Sequence, residues 1–338
     1  MRELADRMRR RHGWTQIMRR NAWFQREALR ALKALPGDAP RTVFAYSYAA
    51  ADIFDYARTR GWRTVLGQID PGPVEARLVA GLYRDASDLS HEPIPDAYWD
   101  AWRRETELAD RIVVNSDWSK MCLAREVVSL EKIDVVPLAY EPIAGFDERC
   151  NGDQLTGPPK GCFTDRRPLR LLFLGQVTRR KGIDLVFEAV RQLADAPLRL
   201  DVVGPVQLEI PEWVAADPRI FVYGGVVQSE VMDFYKSADL FLFPTRSDGF
   251  GLTQLEALSA GVPVIASNCC GAVVQSGVNG EILEPLEAGA LAECLQTLMA
   301  APATLAAWRS AARLDPGFGI DALSERLVAI ETRLAQAA

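Results

Sequence analysis

The sequence predicts an α/β protein with two Rossmann-like, doubly wound parallel-sheet domains facing each other across a cleft. Three observations carry this. Short β-branched or aromatic runs alternate with helical patterns of roughly 10–15 residues, which is the signature of parallel strands joined by right-handed crossovers. A stretch rich in Gly and Pro, without periodicity, interrupts the alternation once, near the middle. The length, 338 residues, suits two domains of about 100–200 residues each.

Composition excludes several classes. With 49% apolar and 25% charged residues, the chain has ordinary globular usage, not a disordered, collagenous or repetitive one. Its six cysteines include no C-x-x-C pair, so neither a disulfide framework nor a zinc site is expected, and the thiols read as free in a reducing compartment. No uninterrupted apolar run approaches the length of a membrane span. The opening MRELADRMRRRHGW has positive charge without an apolar stretch behind it, so no secretory signal is expected and the cytoplasm is the expected location.

Charge is unevenly spread. The net charge of −6 argues against a nucleic-acid partner, yet residues 1–35 hold ten Lys and Arg against three acids, a local +7 that leaves −13 elsewhere. With Trp14, Ile17, Met18, Trp23 and Phe24, this basic segment suits peripheral contact with an anionic membrane. The plainer expectation is a helix packing its apolar stripe on the neighbouring sheet, its arginines in water.

Along the chain, Thr42–Tyr46 (TVFAY) reads as a buried strand after a Pro/Gly/Asp turn, and 49–60 as a helix stopped by Gly61. Thr64–Gln68 is a second strand that ends at the loop Asp70-Pro71-Gly72-Pro73. Helical patterns over 74–83 and 96–109 precede a strand at 111–115, a helix capped by Ser116 and a strand at 133–137. Residues 1–140 therefore form the N-terminal domain, and 141–168 the linker. A second series supplies strands at 170–175, 199–204, 220–223, 240–243 and 263–266, with helices over 183–194, 229–237 and 252–260. Helices over 288–300 and 321–336 end the chain. Residues 169–316 form the C-terminal domain, and 317–338 the C-terminal helix. Ligands of such sheets bind beyond the carboxyl ends of the strands.

The most informative stretch is Phe243–Ser267. A strand runs into Asp248-Gly249-Phe250-Gly251 and then directly into a helix. The glycines let the backbone approach a ligand, and the unsatisfied N–H groups of the helix start favour an anion such as phosphate. Glu256 lies about a turn and a half into that helix. A carboxylate beside a phosphate is a poor phosphate ligand but a good acceptor for sugar hydroxyls. Upstream, a strand ends in Gly175 and the loop carries Arg179, Arg180 and Lys181 before Gly182 opens a helix; three cations there suit a diphosphate.

The motif D-x7-E (Asp248 to Glu256) inside SDGFGLTQLEALSAGVPVIAS, with G-x5-K-G (Gly175 to Lys181-Gly182) upstream, resembles family 4 of the retaining glycosyltransferases. The similarity covers roughly residues 109–289, including ADRIVVNSDWSK, EKIDVVPLAY and KSADLFLFP. It implies the two-domain GT-B fold, a C-terminal helix (317–338) that packs back toward the first domain, and a nucleoside-diphosphate-sugar donor, UDP- or GDP-type. By the same resemblance Asp248 would contact the donor sugar, and Glu256 the ribose. Gly249 and the backbone of Phe250, Gly251, Leu252 and Thr253 would hold the diphosphate with Lys181. Gly204 and the Gly224-Gly225 turn would line the nucleobase pocket. The resemblance also implies that no metal is required, and the chain contains no Asp-x-Asp.

The sequence departs from the family pattern in four places. Position 248 is Asp rather than Glu. Gln176 stands where a diphosphate-binding Arg is common, with Arg179 or Arg180 as replacements. The usual opening strand and its glycine-rich loop are not visible. The N-domain histidine is absent too: only His12 and His91 occur, and His91 reads as a surface residue. Gln68 and Asp70 stand in its place, so the catalytic candidates are Asp248, Lys181, Arg179 and Asp70. The expected function is transfer of a sugar to a glycan or lipid-linked acceptor in cell-surface polysaccharide or glycoconjugate synthesis. A non-catalytic nucleotide-sugar-binding partner subunit and an epimerase on the same fold are the rival readings.

Overall fold

A computed structural model describes residues 13–37, 39–84, 93–141 and 163–336. His12, His91, the first twelve residues of the basic segment and most of the 141–168 linker lie outside the described residues. Two parallel sheets are formed. The first has four strands in the order β1-β2-β3-β4, from Thr42–Tyr46, Arg63–Gln68, Arg111–Val114 and Ile133–Val135. The second has six, in the order β10-β9-β8-β5-β6-β7. Its strands are β5 (Leu169–Leu174), β6 (Leu198–Val203), β7 (Ile220–Gly224), β8 (Leu240–Phe243), β9 (Val264–Ala266) and β10 (Gly280–Ile282).

The apolar runs that predict these strands are continuous because both faces of the second sheet are covered. Side chains alternate along a strand, and so Leu171 and Phe173 enter one core while Leu172 enters the other. In β8, Leu240 and Leu242 face the first of these cores, and Phe241 and Phe243 the second. Each fully buried side chain of this size contributes about 1.5–3 kcal/mol. Phe163, assigned to the linker by sequence, is also buried in the second sheet's core, and Arg167 pairs with Asp239 at 2.7 Å. The connector therefore ends before residue 163, because these residues pack on the second sheet.

Helices cover both sheets. In the first half they are α1 (Trp14–Lys33), α2 (Ala51–Thr59), α3 (Pro73–Leu82), α4 (Asp96–Leu108) and α5 (Asp117–Ala124). The second half adds α6 (Ile183–Gln192), α7 (Glu212–Ala216), α8 (Gln228–Ser237), α9 (Leu252–Ser259), α10 (Ala288–Ala300), α11 (Pro302–Ala311) and α12 (Ile320–Gln336). Ser116 caps α5, its Oγ accepting from the amide of Ser119. Three elements escape sequence reading: α7, β10 and α11. The first two are too short to show periodicity, and α11 begins with a proline, which reads as a breaker but is tolerated in a first turn.

The leading helix departs from the plainer expectation. It packs on α2 rather than on the sheet: Asn21 Nδ2 donates to Tyr48 O at 2.9 Å, Gln25 Oε1 accepts from Asp52 N at 2.8 Å, and Ala28 and Leu32 touch the first domain's own core around Phe54 and Leu66. No α1 residue is fully buried, and Trp23 and Phe24 stay 46% and 50% exposed. The reason is that α1 meets a helix, which offers a narrower apolar face than a sheet.

At the other end, α12 crosses back to the first sheet. Ile330 and Leu334 pack on Val65, Val113 and Val136. Among the described residues no single helix is long and apolar enough to cross a membrane. The apolar α10 and α11 meet at 98° and bury Leu291, Leu295, Leu305 and Trp308 in the core that holds Leu171 and Leu240 on one face of the second sheet.

Candidate functional site

The carboxyl ends of the two sheets face one another. On the second sheet, β5 ends at Gly175 and leads through the cationic loop to Gly182, the left-handed N-cap of α6 (φ 81°). A Cβ at 182 would collide with the carbonyl of Pro244, so glycine is required where the cationic loop meets the end of β8. Beyond β8, Gly251 is the left-handed N-cap of α9 (φ 86°), and no side chain caps this helix. Its leading amides, at Leu252 and Thr253, have no intrahelical acceptor, as at every helix start. Gln254, fully buried, pins the turn from beneath through Nε2 to Phe250 O at 3.1 Å.

Lys181 and Asp248 form an ion pair at this place, with the ammonium 5.2 Å from the centre of the Phe243 ring. Arg180 donates to Ser247 O at 2.8 Å and stands 3.7 Å from Glu75 on α3. Gln176 is exposed, so the inward-facing cations are those of the loop. Arg246 pairs with Asp184 at 2.7 Å and also donates to Arg179 O, bracing that loop from behind. Arg179 lines a separate cleft of about 140 Å³ with Asp184, Phe187, Glu209 and Trp213; its amide donates to Tyr83 OH at 3.3 Å.

Glu256 faces inward on α9, and Tyr235 OH donates to its Oε2 at 2.9 Å. Burial pushes this carboxyl above the ordinary range, while the Tyr235 hydrogen bond favours the charged form. Burial, reinforced by Glu256, drives the Tyr235 phenol well above its usual value, so it stays a donor. Thr253 Oγ1 is buried with no hydrogen-bond partner. Gly175, Gly204 and Gly224 meet at the ends of β5, β6 and β7: Gly175 N donates to Val203 O, and Gly204 N to Gly224 O at 2.8 Å. A Cβ on Gly204 would strike the Gly175 carbonyl, whereas one on Gly175 or Gly225 would meet open space.

The first domain closes over the 247–249 turn. Trp118 Nε1 donates to Ser247 Oγ at 3.0 Å and Ser119 Oγ to Gly249 O at 3.4 Å. A Cβ on Gly249 would lie 2.5 Å from Ile69 O and 3.6 Å from Asp70 Cα, which places Asp70 beside the Asp248 loop. The Asp70 carboxylate accepts from Tyr48 OH at 2.6 Å and Gly72 N at 2.8 Å. Glu75, which the sequence did not single out, is the nearer partner of the cations. Burial raises its carboxyl against the pull of Arg180 and Ser247. On the far side of Phe250, a cleft of about 310 Å³ runs between the ends of β3 and β4 and the segment carrying Phe318 and Arg326. Among the described residues no group of three or more His, Cys, Asp or Glu could hold a metal ion.

A second buried acid, Glu105 on α4, also escaped the sequence. It is fully buried and accepts from the amides of Tyr48, Ala50 and Ala51. Burial pushes its carboxyl up from 4.5 to about 7, against those amide bonds. A raised folded value means that its stabilisation is full below about 4.5 and is lost as pH rises through about 7. The urea midpoint of the wild type is therefore expected to fall between about pH 5 and pH 8, while that of Glu105→Gln changes less. Equal slopes would assign the titration elsewhere.

Residues 168–301 match the family model described as glycosyl transferases group 1. The chain is 32% identical over 185 residues to D-inositol 3-phosphate glycosyltransferase 1 of Catenulispora acidiphila, covering 47% of this chain and 43% of that protein. It is 30% identical over 280 residues to the D-inositol 3-phosphate glycosyltransferase of Geodermatophilus obscurus, covering 77% of this chain and 61% of that one. The chain thus spans about half the length of the curated relatives it matches. Among solved structures, sucrose-phosphate synthase of Thermosynechococcus elongatus has a TM-score of 0.68 at 21% identity, covering 96% of this chain and 80% of that one. Anabaena HepE in complex with UDP has a TM-score of 0.59 at 17% identity, covering 88% and 78%. At these identities the likeness is one of fold. Residues 168–301 thus carry a domain of the glycosyl transferases group 1 type, similar to the family 4 enzymes, and the two facing parallel-sheet domains have the GT-B fold.

Proposed function

We propose that this protein is a retaining glycosyltransferase that moves a sugar from a nucleoside-diphosphate donor to a hydroxyl of a glycan or lipid-linked acceptor, with no metal required. The observation that carries the reading is the Lys181–Asp248 pair beside the uncapped start of α9, with Glu256 on the same helix. Lys181, Arg180 and the amides over 250–253 hold the diphosphate; these cations and the helix dipole neutralise the charge that develops as it leaves. Asp248 accepts from hydroxyls of the transferred sugar, and Glu256 from the ribose. The acceptor hydroxyl attacks C1 on the face from which the diphosphate departs. The bond from C1 to the acceptor oxygen forms as that to the phosphate oxygen breaks, and this oxygen takes the proton. UDP-sugars are the first donors to try, since the Anabaena neighbour is recorded with UDP; GDP-sugars come next. The 14–33 helix, with its exposed Trp23 and Phe24, suits an acceptor held at an anionic membrane.

The test is a thermal-shift screen against UDP-, GDP-, ADP- and dTDP-sugars. A donor at about 100 Kd adds roughly 2.7 kcal/mol to stability. Glu256→Ala is expected to lose that stabilisation and to lower kcat/KM by about 10²-fold. The coupling constant of the product's anomeric proton then reports retention or inversion. A donor that stabilises the wild type and Glu256→Ala equally would remove Glu256 from the site.

A further inference from the structure

We propose that Tyr48, seated by Glu105, is a positioning residue that presents one oxygen of Asp70 to the incoming acceptor hydroxyl. This rests on the reading of the cleft as a sugar-transfer site. The chain of contacts begins at the buried Glu105 carboxylate, which takes Tyr48 N at 2.6 Å, Ala50 N at 2.7 Å and Ala51 N at 3.3 Å. A buried acid is costly unless fully hydrogen-bonded, and packed apolar residues often serve stability as well. What Glu105 holds is a turn in which Tyr48 takes the left-handed conformation, φ 73°, strained for a bulky side chain. In that conformation the Tyr48 ring stacks on Tyr98 at 4.7 Å, and its hydroxyl donates to Asp70 Oδ1 at 2.6 Å.

Two further donors converge on the same oxygen. Gly72 N reaches it at 2.8 Å and Gln68 Nε2 at 3.1 Å. Gln68 is itself oriented, its Oε1 accepting from Trp102 Nε1 at 2.9 Å. These bonds all end on Oδ1 and leave Oδ2 as the oxygen that meets a ligand. Asp70 sits beside Gly249, so Asp70 and Asp248 flank the reacting centre from opposite domains. Tyr48 and Glu105 touch no substrate; they act through Asp70, at the strand end where the family's histidine is missing.

The experiment is a double-mutant cycle on the full chain with a UDP-sugar donor. Tyr48→Phe is expected to keep donor KM within about twofold and to lower kcat about tenfold. Asp70→Asn lowers kcat more, and the double variant is no worse than Asp70→Asn alone, because the Tyr48 hydroxyl has nothing left to orient. Additive losses, or a Tyr48→Phe kcat near that of the wild type, overturn the proposal. A second arm needs no turnover: with [ζ-13C]tyrosine, the Tyr48 resonance, assigned by its loss in Tyr48→Phe, is followed in wild type and Asp70→Asn. The hydroxyl's hydrogen bond to Asp70 Oδ1 polarises the phenol, so the resonance is expected to move in Asp70→Asn. An unchanged resonance overturns the proposal even in a protein that turns over no sugar. Absence of turnover in the wild type overturns the transferase reading and leaves this arm decisive.

Discussion

Lys181→Ala is expected to lower kcat/KM for sugar transfer by about 10²-fold or more, with kcat carrying most of the loss. Two effects combine. The variant removes the charge that best matches the leaving diphosphate, and charge stabilisation in a closed cleft is worth more than in water. It also strands Asp248, whose only ion-pair partner among the described residues is Lys181. Lys181→Arg keeps the charge but replaces a compact ammonium with a wider fork beside the Phe243 ring. Its expected activity lies between those of Lys181→Ala and wild type. Steady-state kinetics with a donor from the thermal screen checks both. Turnover within twofold of wild type in Lys181→Ala would remove this residue from the diphosphate site.

Truncation after Phe318, which deletes α12, is expected to have the next largest effect: loss of most activity and a large drop in the unfolding temperature. The helix buries Ile330 and Leu334 on Val65, Val113 and Val136. At about 1.5–3 kcal/mol for each side chain returned to water, five such residues cost a large part of a domain's net stability. The deletion also cuts the strap by which residues following the second domain grip the first. Arg333→Ala is the contrast: Arg333 meets Asp134 at 2.7 Å but is 55% exposed, and such a surface pair contributes about 1 kcal/mol or less. Ile330→Ala with Leu334→Ala separates packing from mere chain length, at about 2–5 kcal/mol for each substitution. A truncated chain with full activity and an unshifted unfolding curve would show that α12 supports neither the first sheet nor closure.

What could be read in advance was what depends on neighbours in the chain. The run LRLLFL announces a strand buried on both faces, because successive side chains must point to opposite sides and all but Arg170 are apolar. Gly251 followed by LTQLEALS announces an uncapped helix start, and helical pitch places Glu256 about one turn after Leu252. The Arg179-Arg180-Lys181 loop could be read as an anion site, but not which cation turns inward. Arg180 and Lys181 reach Ser247 and Asp248, and Arg179 lines another cleft.

The amino-acid sequence by itself therefore determined the α/β class, the alternation that makes both sheets parallel, and the loops of the second domain that carry its candidate residues. All of these rest on contacts within one strand-turn-helix unit. Tertiary structure alone decided the first domain's half. Asp70 is oriented by Tyr48 from the turn after β1 and by Gln68 at the end of β2, Gln68 by Trp102, and Tyr48 by Glu105. Glu75 meets Arg180 only because the two sheets face one another. The physical reason is that burial and hydrogen bonding between residues tens of positions apart are properties of packing. A glutamate on a helix looks the same in sequence whether it faces water or accepts three buried amides.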